Sequence, residues 1–254
     1  MQMTNRKPQS PWDQWITLFR MELTNWRWSW RSMVLSGTLA PILSILALGT
    51  FAQDAGKTAV AYVLSGNIVL SLMFGNMDNI QSRFTFMRFT GTIDYFTTLP
   101  IKRYVLILAM VIAFLLLSLP SLLATMLTGI LLLRIPINIH PLIVVIVPLC
   151  AISLSGIGAL IGTIAPNPQT AGSFSLLTTL IMLGLGPVVI PPDRLSDVIV
   201  RLGFLSPATY AASALRQVLF GQVTERIVLD MGVLIAIAVC CYWIVARVLA
   251  GRDS

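Results

Sequence analysis

The stretch YVLILAMVIAFLLLSLPSLLATMLTGILLL, from Tyr104 to Leu133, contains no charged residue. A helix needs only about 20 apolar residues to cross the roughly 30 Å hydrocarbon core of a bilayer. Because this run is longer, we expect its helix to tilt, to kink at Pro120 or to protrude from the membrane. The stretch predicts an integral membrane protein with an all-α fold.

The composition of the whole chain supports the same class. The 254 residues are 56% hydrophobic and only 11% charged, whereas soluble domains carry about 25% charged residues. The net charge of +7 does not indicate a nucleic-acid partner, because the basic residues are spread along the loops and form no patch. Cys150, Cys240 and Cys241 lie in apolar runs without zinc spacing, so we expect them to be packing residues.

The sequence predicts six transmembrane helices: five are charge-free runs, and the last carries Asp230 near one end and Arg247 near the other. The run from Ile135 to Pro192 carries no Lys, Arg, Asp or Glu and is long enough for two of them. Two prolines and an amide in Pro166–Gln169 predict the turn between those two helices. The expected spans cover about residues 32–53, 58–77, 104–133, 141–165, 171–190 and 227–249.

Residues 191–226 are largely apolar but are not counted as a span. They contain Arg201 and Arg216, and an arginine at the middle of a membrane costs about 2.5–3.5 kcal/mol. We therefore expect short, re-entrant helices that dip into, or lie on, the extracellular face. The two arginines are expected either to meet anionic lipid headgroups or an anionic substrate, or to snorkel as structural residues.

The distribution of basic residues predicts the orientation. Outside the segment 191–226, eleven Lys and Arg residues fall on the side of the termini and two, Lys57 and Arg134, fall on the other side. Cytoplasmic loops carry the excess of positive charge. We therefore expect both termini in the cytoplasm and the protein in the plasma (inner) membrane of a prokaryote.

Residues 1–31 are predicted to form a cytoplasmic amphipathic helix, followed by one six-span domain over residues 32–254. Ser10-Pro11-Trp12-Asp13 is a helix start signal. Five of the six tryptophans fall between residues 12 and 30, and tryptophan prefers the headgroup layer of a membrane. An interfacial helix is the favoured interpretation, and a helix packed on the cytoplasmic ends of the spans is the alternative.

Catalytic machinery is not evident, so we expect no catalytic, cofactor-binding or metal-binding residue. The single histidine, His140, lies in a predicted outer loop with no obvious partner. Gly56-Lys57-Thr58 resembles the end of a phosphate-binding loop, but Phe51 replaces the first glycine of that pattern. Ion-coupled transport usually needs ionisable groups within the spans, and the mid-membrane positions carry none. An ion-coupled secondary transporter and another kind of membrane protein remain as alternatives.

Two motifs in particular topological positions suggest a family. Gly91-Thr92-Ile93-Asp94-Tyr95, followed by Leu99-Pro100-Ile101-Lys102-Arg103, comes after the second span. Leu205-Ser206-Pro207-Ala208-Thr209-Tyr210, with Ala214-Leu215-Arg216, comes before the sixth. With six spans and an amphipathic N-terminal helix, the chain resembles the ABC-2 type transporter permeases, which are the membrane subunits of exporters whose ATPases are often separate chains.

The resemblance implies that residues 78–103 form a cytoplasmic loop containing the coupling helix, which docks on an ATP-binding subunit. The implied contact residues are Arg83, Arg88, Phe89, Gly91, Thr92, Asp94, Tyr95, Phe96 and Pro100. The short loop Pro166–Thr170 is a second, smaller contact. ATP and Mg would bind to the partner and not to this chain, which has no nucleotide site of its own. Two ATP-binding subunits and two permease chains, as a homodimer or heterodimer, are the expected assembly.

The resemblance also implies a substrate pathway at the interface between two permease chains. Polar residues of the second and fifth spans are its candidate lining: Asn67, Ser173, Thr178 and Thr179. The alternative is that these residues only form hydrogen bonds between helices. Ser206, Pro207, Tyr210 and Arg216 mark the re-entrant helices at the exit. Because the spans that would line this pathway carry few polar residues, we expect export of a hydrophobic or amphiphilic cargo: a drug-like compound, a lipid or a lipid-linked glycan.

Overall fold

The computed structural model describes residues 11–92, 103–221 and 223–250. Helices account for most of these residues, and no β-strand occurs among them. The helices are α1 (Pro11–Asp54), α2 (Lys57–Leu72), α3 (Asp78–Phe89), α4 (Arg103–Leu133), α5 (Ile143–Ile164), α6 (Pro168–Gly184), α7 (Asp197–Gly203), α8 (Pro207–Leu219) and α9 (Arg226–Ala250). A π-helical turn, Met73–Met77, joins α2 to α3, and a short 3₁₀ turn, Pro192–Arg194, precedes α7.

Five helical segments in the described residues are long and apolar enough to cross a membrane. They are Met33–Asp54, Lys57–Phe89, Val105–Leu133, Ile143–Ile164 and Arg226–Leu249. Helices α7 and α8 are bent by 87° and would make a sixth span if counted as one. The prediction of an all-helical membrane protein is confirmed.

Helix α6 is shorter than the fifth span predicted for residues 171–190. It ends at Gly184, and its 17 residues extend about 26 Å at 1.5 Å per residue. Gly186 then adopts φ +134°, and Pro187 follows it. Neither residue continues a helix, because the glycine is outside helical φ and the proline lacks an N–H.

Helix α1 runs without a break from Pro11 to Asp54, a length of 44 residues. The expected boundary between an interfacial helix and the first span, at residue 31, is therefore not a helix end. No proline or glycine occurs between residues 12 and 36, so nothing in that part of the sequence stops the helix. The expectation for residues 1–10 lies outside the described residues.

The second span also continues past its predicted end at residue 77. The π-helical turn leads directly into α3, so residues 57–89 form one helical segment. Residues 78–89, within the expected coupling loop, are thus helical and follow α2 without an intervening loop. Ile80, Phe84 and Met87 recur at helical spacing on α3 and are all buried, which explains why the helix persists.

The core consists of two apolar clusters at different levels of the bundle. The larger one joins α2, α5 and α8 through residues such as Leu64, Leu154 and Leu215. The smaller one joins the first part of α1 to α3, α4 and the end of α9, for example through Leu18 and Val245. The smaller cluster therefore holds α1 and α3 together at the end of the bundle where the coupling contacts were predicted.

Two glycines set the distance between α5 and the helical segment made of the π-helical turn and α3. A Cβ atom at Gly158 would overlap with the backbone carbonyl of Met77, and one at Gly162 would approach the carbonyl of Gln81 to 2.5 Å. Only glycine allows so close an approach of two backbones. The spacing of Gly158 and Gly162 thus serves close helix packing.

Candidate functional site

A buried ion pair joins α1 to α3 at one end of the bundle. Arg83 donates to the same oxygen of Glu22 from Nη2 at 2.7 Å and from Nε at 3.1 Å. The Glu22 side chain is 2% exposed and that of Arg83 is 15% exposed. Arg83, predicted as a contact for an ATP-binding subunit, is therefore already paired within the chain.

Arg88, five residues further along α3, binds the end of α5. Its Nη1 donates to the carbonyl oxygens of Thr163, at 2.7 Å, and Ala165. The last carbonyls of a helix have no partner within the helix and carry partial negative charge, so a guanidinium there is favourable. Arg83 and Arg88 together fasten α3 to two neighbouring helices.

Two aromatic side chains remain exposed on α3. Phe86 is 58% exposed and Phe89 is 48% exposed, and the Arg88 guanidinium lies 5.6 Å from the centroid of the Phe89 ring. Phe84, in contrast, is 2% exposed and belongs to the smaller apolar cluster. Exposed rings beside a fixed cation form a surface that suits a protein partner.

The chain turns immediately after α3. Gly91 adopts φ +67°, a left-handed conformation typical of the residue that follows a helix. The hydroxyls of Thr90 and Thr92 are 2.7 Å apart and hydrogen-bonded across it. The other predicted coupling residues, Asp94, Tyr95, Phe96 and Pro100, lie outside the described residues.

The turn between α5 and α6 lies beside Arg88. Asn167 caps α6 by accepting from the Thr170 backbone N–H at 2.7 Å and from the Thr170 hydroxyl at 2.8 Å, and Pro168 occupies the first helical turn. Arg88 reaches Ala165 in the same turn. The two predicted coupling segments are thus in contact at one end of the bundle.

A polar contact that was not predicted from the sequence links α3 to α6. The hydroxyl of Ser175 donates to a carboxylate oxygen of Asp78. Asp78 follows the π-helical turn directly. An acid at the end of an apolar run was the only signal in the sequence, and it does not specify the partner.

The four predicted pathway residues do not share one surface. Asn67 and Thr179 are fully buried inside this chain, and the described residues offer no hydrogen-bond partner to Asn67 Oδ1 or Thr179 Oγ1. Ser173 is exposed on α6 and Thr178 is half-buried. Only the α6 residues Ser173 and Thr178 face away from the core.

At the opposite end, the predicted re-entrant segment forms the bent pair α7 and α8. Helix α8 begins at Pro207, directly after Ser206, but the Ser206 hydroxyl donates to the carbonyl of Met182 at 3.2 Å and does not cap α8. The Tyr210 hydroxyl donates to the carbonyl of Phe204 at 2.7 Å. The first bond holds the bend against α6, and the second closes the bend itself.

Arg216, on α8, packs against α2. Its guanidinium lies 3.3 Å from the centroid of the Tyr62 ring, Nε donates to Ser65 Oγ at 3.2 Å, and Nη2 donates to the Pro187 carbonyl at 3.5 Å. Tyr62 and Ser65 precede Arg216 by about 150 residues, so no local pattern in the sequence could have identified them as its partners. Arg216, expected either to meet an anionic headgroup or substrate or to snorkel, is thus held by groups within this chain.

Comparison with known proteins agrees with the motifs and the fold. The family model described as ABC-2 type transporter matches residues 13–220, which is most of the chain. No curated protein matches the chain. The match includes most of α1, helix α3 with the α5–α6 turn that it contacts, and the bent pair α7 and α8. With its membrane-spanning helices, the chain is an integral membrane protein that belongs to the ABC-2 type transporter family.

Proposed function

We propose that this chain is the permease subunit of an ATP-driven exporter. A separate ATP-binding subunit, which holds the ATP and Mg, would dock where α3 meets the α5–α6 turn and would also contact residues within 93–102. The family normally works with such a subunit. In this proposal the termini are cytoplasmic and the protein lies in the plasma membrane of a prokaryote.

The main support for the proposal is the set of contacts that fix α3 to its neighbouring helices. Arg83 binds Glu22 on α1, and Arg88 binds the end of α5. The same α3 continues through the π-helical turn into α2 as one helical segment, residues 57–89. A force applied at Phe89 would thus act on α1, α2 and α5 together, since the ion pair and the helix resist independent movement.

The surface chemistry favours a protein partner at this end. Phe86 and Phe89 expose apolar rings, and aromatic residues with arginine are enriched in the centres of protein interfaces. Gly91 turns the chain directly after them. The further predicted contacts, Asp94, Tyr95, Phe96 and Pro100, follow in the sequence.

The proposed cargo is hydrophobic or amphiphilic and moves outward between two permease chains. Helix α6 supports this part of the proposal, because it exposes a face of apolar residues with Ser173 among them. These exposed apolar residues are Phe174, Leu176, Leu177, Leu180 and Ile181. A second permease chain, or the cargo passing between two chains, would cover this face.

The test is ATP-dependent transport by the complex as isolated from membranes. The chain is purified with any ATP-binding subunit that accompanies it and is reconstituted into vesicles containing a fluorescent amphiphile. We expect transport of the amphiphile that requires ATP and continues when a protonophore and a sodium ionophore abolish the ion gradients. Transport that stops with the ionophores and ignores ATP would instead favour the secondary transporter.

A further inference from the structure

A cavity of about 420 Å³ lies at the end of the bundle opposite α3. It is formed by the beginning of α2, the end of α8, the beginning of α9 and the segment that follows α4. Its polar lining residues are Lys57, Thr58, Ser213, Arg216, Gln217 and Thr224, with Arg226 at the start of α9. A neighbouring cavity of about 110 Å³ shares Arg216 and Arg226. The larger volume falls within the range of about 300–1,000 Å³ of small-ligand sites.

The charge of the larger cavity is strongly positive. Three cations line it, and no carboxylate does. Asp230 lies nearby and is fully buried, but one of its oxygens accepts from Gln217 at 3.0 Å and the other is 3.8 Å from Arg226 Nε. One carboxylate can offset one cation at most. Lys57 and Arg216 therefore leave an uncompensated positive charge in a partly enclosed space, which favours an anionic ligand.

Arg216 is held in place before any ligand binds. The Tyr62 ring, Ser65 Oγ and the Pro187 carbonyl fix its guanidinium from three sides. A guanidinium has five N–H donors, and the described part of the chain uses only those on Nε and Nη2. The remaining donors have the planar arrangement that binds phosphate oxygens in pairs. Because its orientation is fixed, little conformational entropy would be lost on binding.

The surface around the cavity favours a lipid as the source of the anion. Val228 and Leu229 follow Arg226 on α9 and are 71% and 55% exposed. Cationic residues next to exposed apolar residues on a membrane-spanning helix match a phospholipid, whose charged headgroup adjoins its acyl chains. Lys57 and Arg226, which are both exposed at the rim, would meet the headgroup from two sides.

We propose that this cavity binds the phosphate group of an anionic membrane phospholipid. Arg216 would contact the phosphate at the base of the cavity, while Lys57 and Arg226 would hold it from the rim. The lipid site is inferred from the cavity alone, so it does not depend on the proposed ATP-driven export.

The test measures binding of a fluorescent short-chain phosphatidylglycerol to the purified chain in a neutral detergent. We expect it to bind about tenfold more tightly than the corresponding phosphatidylcholine, which has the same phosphate but also a choline cation that the three cations of the cavity would repel. The double variant Lys57→Gln/Arg226→Gln should lose this preference, and Arg216→Gln should weaken phosphatidylglycerol binding about tenfold. The rim variants leave the packing of Arg216 untouched, so they keep the test valid if Arg216→Gln does not fold.

The matched control is Arg201→Gln, which removes an exposed arginine of α7 that lines neither cavity. Its affinity for phosphatidylglycerol should equal that of the unmodified chain. Unchanged phosphatidylglycerol binding in the double rim variant would overturn the proposal. Displacement of the lipid probe by an equal concentration of inorganic phosphate would overturn the lipid as the source of the anion.

Discussion

Arg83 and Glu22, 61 residues apart in sequence, form a two-bond ion pair between α1 and α3 with N–O distances of 2.7 and 3.1 Å. The Glu22 side chain is 2% exposed, so its charge depends on Arg83 for compensation. The pair connects the helix that begins the described chain to the helix that carries the exposed aromatic surface. The first helix is thus a structural part of the proposed coupling region.

Removal of one partner should destabilise the fold. Arg83→Gln leaves the Glu22 carboxylate buried and uncompensated, and we expect the free energy of unfolding to fall by about 3 kcal/mol, the lower end of the range for a broken buried pair. Unfolding by dodecyl sulfate, followed by circular dichroism, measures the loss. Arg20→Gln removes an exposed arginine on α1 and should change stability by less than about 0.5 kcal/mol. Equal stability of the two variants would show that the pair contributes nothing.

The contact between Gly158 of α5 and the π-helical turn gives a second stability prediction. Gly158→Ala places a Cβ atom against the Met77 carbonyl, so we expect a loss of about 1–3 kcal/mol. Gly172→Ala is the matched control, because a Cβ atom at that helical glycine of α6 would meet no other atom within 4 Å. Both variants are compared by the same dodecyl sulfate titration. A Gly158→Ala chain as stable as the control would show that α5 can shift without cost.

The orientation can be tested independently of transport. Ser196 is exposed between the 3₁₀ turn and α7, in the segment predicted to be extracellular. In a chain with its three native cysteines replaced by alanine, Ser196→Cys should react with an impermeant maleimide added to intact cells. Ser254→Cys should react only after the cells are opened. The reverse pattern would place the termini outside.

The sequence predicts the helices whose ends are set by charge. Arg103 and Arg134 bracket α4, a charge-free run identifies α5, and Asp230 and Arg247 lie near the two ends of α9. The continuation of α1 past residue 31 and of α2 into α3 was not predicted. In both places a polar, helix-forming stretch adjoins an apolar one within one helix, and a change of polarity does not by itself end a helix. Tertiary contacts keep α3 helical, because Phe84 and Met87 are buried and Arg88 binds carbonyl groups at the end of α5.

The candidate site could be predicted from the sequence only in part, because its contacts join residues that are far apart in the chain. Residue type and position identified Arg83, Arg88 and Arg216 as charged residues at the ends of spans. Their partners lie 61, 75 and 151 residues away, and no periodicity reports contacts over such separations. The burial of Asn67 inside the chain was likewise inaccessible to the sequence, because an amide in an apolar helix has the same pattern whether it faces a pathway or a neighbouring helix.

The exposed rings of α3 lead to a prediction about partner binding. Phe86→Ala removes a ring that is 58% exposed and should weaken association with the ATP-binding subunit about tenfold, since an interface aromatic is commonly worth more than 1 kcal/mol. The dissociation constant is measured with the purified subunit and the chain in nanodiscs. Leu127→Ala removes a side chain of similar exposure on α4, 58%, and should leave association unchanged. Equal affinities for both variants would place the partner elsewhere.

The central claim is that the region from α3 through residue 103 transmits ATP-driven motion to the spans, and the most direct measurement is ATP hydrolysis and export by the same reconstituted complex. Three variants address it: Phe89→Ala, Asp94→Ala and Gly91→Pro, the last of which forces φ near −65° where the chain has +67°. We predict normal membrane insertion, weakened ATPase association or stimulation, and lost export. His140→Ala, in the segment before α5 at the opposite end, should behave like the unmodified chain. Full ATPase stimulation and full export in all three variants would contradict the account.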